Sequence, residues 1–148
     1  MAYIQLKDIR IAGIATAVPK QTINNKDLIA EFGEKRINRF IRTTGVLERR
    51  VASEYQTASD LGVAATEELF KKKGIDKKTI GALVFASHGP DYKRPATAHV
   101  IQKRLELSEQ CACFDISLGC SAFVYGIQIL GGLMQTSDIE KALLIVGD

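Results

Sequence analysis

The sequence predicts an α/β protein built as a layered, mostly parallel sheet with helices on both faces. Three observations carry this. Ile80 to Ala86 and Leu143 to Val146 are nearly unbroken apolar runs of strand length, the pattern of strands covered on both sides. Helical segments separate the strands of the second half, and parallel neighbours need such crossovers. A length of 148 residues holds one compact domain with a sizeable core and little more.

The elements follow in order. Ile4 to Val18 is rich in Ile, Val and Ala and stops at Pro19, which predicts a first strand. Asn24 and Asn25 offer an N-cap for a short helix over Lys26 to Phe32, and a second helix is expected from Glu34 to Arg42. Thr44-Gly45 reads as a turn into a short strand or loop around Val46 to Ala52. Thr57 opens the clearest helix, with Asp60 in its first turn, Leu61, Ala65 and Leu69 as an expected buried stripe, and Lys71 to Lys73 before a Gly74 stop. Pro95 to Leu107 predicts a helix with proline in its first turn, and Cys111 to Ile116 a strand. Cys120 to Gln135 is apolar almost all round and predicts a buried helix. Its glycines at 126, 131 and 132 are costly in a helix and point to close packing. The chain stops just after a buried strand, so a longer protein is expected around it.

Composition removes several classes. With 46% hydrophobic and 25% charged residues, disorder, collagen-like repeats and coiled coil are excluded. No apolar run reaches the ~18 residues of a membrane span, and Lys7, Asp8 and Arg10 interrupt any signal-like stretch. Three cysteines argue against a disulfide framework and for a reducing, cytoplasmic setting. A net charge of +3 gives no reason to expect nucleic acid.

The chemistry concentrates at Cys120. In Phe114-Asp115-Ile116-Ser117-Leu118-Gly119-Cys120-Ser121-Ala122-Phe123 a strand ends, Gly119 turns sharply, and Cys120 is expected in the first turn of a helix. The positive end of a helix favours thiolate, the nucleophile that attacks acyl groups. The plain alternative is a small buried hydrophobe.

This segment resembles the nucleophile segment of the β-ketoacyl-acyl-carrier-protein synthase III family, within the thiolase-fold condensing enzymes. Ile11-Ala12-Gly13-Ile14 with Val18-Pro19, then Thr44-Gly45-Val46-Leu47-Glu48-Arg49-Arg50, then Pro90-Asp91-Tyr92 through Pro95-Ala96-Thr97-Ala98, and the final Gly147-Asp148 resemble further family segments in the same order. The resemblance implies a thiolase-like fold of two similar halves, of which residues 1–148 are the N-terminal one, the C-terminal half being absent. It implies acyl transfer onto Cys120 and condensation with a malonyl-type thioester. Thr44, Arg49, Arg94 and Phe123 would contact substrate, and Arg39 and Arg42 coenzyme A or acyl carrier protein. Acyl thioesters are then substrates, with no cofactor and no metal, in a homodimer acting without nucleic acid or membrane. The family's catalytic histidine and asparagine belong to the second half, so the isolated chain is expected not to condense.

Two positions depart from the family. Where it often has tryptophan and arginine at the adenine end of coenzyme A, this chain has Arg39 and Thr43 and no tryptophan anywhere. Where a phenylalanine commonly reaches the partner's acyl pocket stands Arg94, which disfavours a short apolar primer.

The remaining candidates have plain readings. His88 reads as a loop tip and His99 as a helix face. Cys111 and Cys113 point the same way without a second pair at zinc spacing and read as core thiols. Lys35, Arg39 and Arg42 form a basic stripe that either meets phosphates or an acidic carrier, or is a solvated face. Acyl transfer without condensation and a non-catalytic dimer or carrier-binding subunit remain as alternative functions.

Overall fold

The computed structural model describes residues 5–148. The chain forms two compact units, one of residues 18–56 and the other of the preceding N-terminal segment together with residues 57–148.

The larger unit is the predicted α/β layer. Strands β3 (Ala82–Ala86), β4 (Ala112–Ile116) and β5 (Ala142–Val146) make a parallel sheet in the order β4-β3-β5. Ala82 is level with Ala112 and Ala142, and Ala86 with Ile116 and Val146. Because side chains alternate across a strand, central β3 feeds two cores. Leu83 and Phe85 meet helices α3 (Ala58–Lys73) and α4 (Thr97–Arg104) through Val63, Phe70, Ile101 and Leu105. Ala82, Val84 and Ala86 meet helix α5 (Ala122–Thr136) through Ala122 and Leu130. All five β3 residues are buried, as the apolar run predicts.

Helix α3 begins at a Thr57–Asp60 capping box and ends at Gly74 with φ of 61°. Its buried stripe is Ser59, Gly62, Val63, Thr66 and Phe70, whereas Leu61, Ala65 and Leu69 are half-buried. The helix is rotated so that Gly62 lets the Ile145 side chain of β5 approach the backbone. The α4 region is shorter than its sequence suggests, because the carboxylate of Asp115 on β4 accepts from the Thr97 and Ala98 amides at 2.7 and 2.8 Å and fixes the start there. Helix α5 is not buried all round, since Phe123, Val124 and Tyr125 are exposed. Of its glycines, Gly126 and Gly131 are in close contact, with Leu144 and Leu6, while Gly132 faces open space.

The expected first strand is absent: residues 5–19 form no strand, although exposure alternates from Gly13 to Pro19. The period of an extended chain is there, but no ladder partner exists among the described residues. Ile4, where that strand was expected to start, lies outside them.

The smaller unit is an antiparallel pair, β1 (Gln21–Asn24) with β2 (Glu48–Val51), flanking a 3₁₀ turn and helices α1 (Ile29–Phe32) and α2 (Glu34–Thr44). Asn24 caps the 3₁₀ turn through the Lys26 amide at 2.9 Å. Gly45 ends α2 at φ of 73°, a backbone state that glycine adopts without strain. Asn25 is buried, donating to the Val46 carbonyl at 2.9 Å and accepting from the Arg49 guanidinium.

Candidate active site

The three parallel strands end level with one another, and the loops after them share one edge. The Ser87 amide donates to the Ile116 carbonyl at 3.1 Å, and the Gly147 amide to the Ala86 carbonyl at 3.2 Å. Open α/β sheets bind ligands at this C-terminal edge. Cys120 sits there in the loop from β4 to α5. The Ala122 amide donates to the Gly119 carbonyl at 2.8 Å and closes a turn that holds Cys120 at its second position.

Cys120 therefore stands two residues ahead of α5 rather than in its first turn, because Gly119 to Ala122 forms a separate turn and Ser121 is the N-cap. No side-chain cap occupies that helix end. The thiol is exposed at the positive pole of a 15-residue helix, where negative charge is stabilised. Phe123, two residues into the helix, is 48% exposed beside Val124 and Tyr125. An exposed thiol next to an apolar surface suits attack on an acyl thioester. The other cysteines differ. Cys111 is buried and Cys113 half-buried, both within one core cluster, and the hydrogen bond to Cys111 together with burial pushes the Cys113 thiol up.

The loop after β3 turns toward the same place. The Asp148 carboxylate, beyond β5, accepts from the Ser87 hydroxyl at 2.7 Å and from the His88 amide at 2.6 Å, and these bonds hold it below the usual carboxylate range. Ser87 in turn accepts from the Gly89 amide at 3.0 Å. The His88 imidazole lies directly on Gly119, where a Cβ would overlap Nε2. His88 is thus exposed, as a loop residue should be, yet it packs on the turn that carries Cys120, which the sequence spacing did not reveal.

Arg94 is exposed in the loop before α4. Among the described residues it makes no ion pair. His99 is exposed on α4, as expected. No cluster of metal-ligating side chains occurs among the described residues.

The other predicted site residues belong to the smaller unit. Arg39 and Arg42 line an open depression of about 530 Å³ with Lys35 and Asn38. The Thr44 hydroxyl donates to the Phe40 carbonyl at 2.8 Å and accepts from the Val46 amide at 3.2 Å, so it closes the end of α2. Arg49 binds the buried Asn25 side chain. Cys120 and Phe123 lie three residues apart at the start of α5, Arg39 and Arg42 line one depression, and Thr44 and Arg49 serve local hydrogen bonds.

Comparison with known proteins follows this geometry. Residues 35–148 match the family model of FAE1/type III polyketide synthase-like proteins. The chain is 36% identical over 140 residues to a β-ketoacyl-[acyl-carrier-protein] synthase III of Clostridium beijerinckii, covering 95% of this chain and 42% of that protein. Against the enzyme of the same name from Latilactobacillus sakei it is 38% identical, covering 94% and 41%. A solved 3-oxoacyl-(acyl-carrier protein) synthase from Burkholderia xenovorans superposes with a TM-score of 0.84 at 34% identity, covering 88% of this chain and 38% of that one. The chain spans about two fifths of the length of these curated relatives.

Proposed function

Because the chain belongs to the FAE1/type III polyketide synthase-like family, with β-ketoacyl-acyl-carrier-protein synthase III enzymes among its relatives, we propose that it carries the acyl-accepting part of a condensing enzyme. The observation that carries the reading is the exposed Cys120 thiol in the turn before α5, at the C-terminal edge of a parallel sheet. Its thiolate attacks the carbonyl carbon of an acyl thioester. The carrier thiolate leaves, and the acyl group remains as a thioester on Sγ. Main-chain amides of the turn, that of Cys120 included, stabilise the oxyanion in between. Condensation with a malonyl-type thioester follows, with loss of carbon dioxide, once a base and orienting groups from further chain are supplied.

The other candidate residues take parts in the same reading. Phe123 offers the acyl chain an apolar contact. Arg39 and Arg42, with Lys35, present cations to the phosphates of coenzyme A or to an acidic carrier protein, while Thr44 and Arg49 would contribute chiefly by shaping the smaller unit. An exposed Arg94 disfavours a short apolar primer. Edge strand β4 is the surface for self-association, with Cys113 to Ile116 pairing with a second copy. Among the described residues no helix is long and apolar enough to cross a membrane. Three free cysteines suit a reducing cytoplasm.

The test is capture. Incubated with an acyl-coenzyme A or acyl carrier thioester, the chain should gain one acyl mass, mapped to the Cys120 peptide and lost in Cys120→Ala, without releasing carbon dioxide from a malonyl thioester. An acyl group on another residue, or none, contradicts the reading.

A further inference from the structure

We infer that His88 is a positioning residue for Cys120, an inference that rests on the nucleophile reading above. His88 is tied at its backbone and placed at its ring. The Asp148 carboxylate grips the His88 amide at 2.6 Å and the Ser87 hydroxyl at 2.7 Å, which fixes the loop after β3 to the end of β5. The ring then lies on Gly119, the residue before the nucleophile, with Nε2, Cδ2 and Cε1 all against the space that a Cβ would fill. Three strand ends thus meet at one point, from β3 through His88, from β4 through Gly119 and from β5 through Asp148. Glycine at 119 is required by this contact, because any side chain would displace the ring or the turn.

The consequence is both steric and electrostatic. Seated on Gly119, the ring blocks the side of the turn that faces the β3 loop and holds the Gly119–Cys120 peptide in one orientation. In its charged form it adds a positive charge one residue from the sulfur, beside the pole of α5, and so favours thiolate. The titratable groups nearest it in these contacts are the Asp148 carboxylate beyond β5, which accepts from the His88 amide, and Cys120, the residue after Gly119 in the β4–α5 turn. The bonds from the Ser87 hydroxyl and the His88 amide hold the Asp148 carboxyl below the usual range, so it stays ionised and keeps the loop tied.

The experiment is the pH profile of iodoacetamide alkylation at Cys120, followed by peptide mass in the parent chain and in His88→Gln, which keeps a planar polar side chain without the charge. At acid pH, with the imidazole charged, His88→Gln should react about five-fold more slowly than the parent, the scale of one nearby charge at a solvated site. At alkaline pH, with the imidazole neutral, the two rates should agree within about two-fold. A second pair tests the contact itself. Gly119→Ala should slow alkylation at all pH values, and adding His88→Ala should restore much of the rate. Superimposed profiles for parent and His88→Gln, or no recovery in the double variant, overturn the positioning role while leaving Cys120 as nucleophile. Alkylation of Cys120 no faster than of Cys111 and Cys113 overturns both.

Discussion

The two units are held by different forces. Between residues 18 and 56 only Asn25 and Ile37 are buried, so the smaller unit owes its shape to a short hairpin, helix caps and the polar bridge from Asn25 to Val46 and Arg49. The larger unit packs two apolar cores against one central strand. Burial of apolar surface is non-directional and strong, whereas hydrogen bonds are directional and individually modest. Hence the thiol stands on the unit with two apolar cores, while the basic depression stands on one held mainly by hydrogen bonds and the single buried Ile37.

Substitutions can break this contrast in either direction. Phe85→Ala, in the middle of β3, should cost about 3–5 kcal/mol, because it removes a fully buried ring from the α3/α4 core. Chemical denaturation should show a much lower midpoint, and a loss under 1 kcal/mol would mean that this core is not the main support.

Asn25→Ala should cost about 1–3 kcal/mol, since it leaves the Val46 carbonyl and Arg49 without their partner. Hydrogen exchange should accelerate at residues 46–51 and stay unchanged at 82–86. Equal acceleration in both segments would show that the two units do not differ as described.

The smallest effect belongs to Asp60, which accepts from the Thr57 amide at 2.8 Å and pairs with Arg104 at 2.8 Å. First that amide bond and then Arg104 hold its carboxyl below the usual range. The stabilisation is therefore complete above the unfolded value of about 3.9 and fades as pH falls through the lower folded value. Asp60→Ala should cost about 1 kcal/mol at pH 7 and progressively less as the pH falls below about 4. A cost that does not depend on pH would remove the capping account.

The sequence carried the layered sheet clearly because two-sided burial writes itself as an unbroken apolar run, and Ile80 to Ala86 is one. Helix ends were legible where caps are local, as at Asn24, Thr57 and Gly74. What escaped was nonlocal. Asp115 looks like a stray charge in an apolar strand until it is seen capping α4 from β4. The α3 stripe was misplaced because a four-residue spacing of Leu and Ala gave no weight to Gly62, whose missing side chain decides which face meets β5. Cys120 was legible from its turn and helix. The seat of His88 was not, because residues 88 and 119 are brought together only by the pairing of β3 with β4.

The central claim is that one thiol of three is made for chemistry, and limiting iodoacetamide at pH 7.5 tests it most directly. Cys120 is exposed at a helix pole, Cys111 is buried, and Cys113 is pushed up by its bond to Cys111 and by burial. The account predicts that the Cys120 peptide is labelled at least about ten-fold faster than the Cys111–Cys113 peptide, as exposure and thiolate character dictate. Equal labelling, or faster labelling at Cys111 or Cys113, would contradict it.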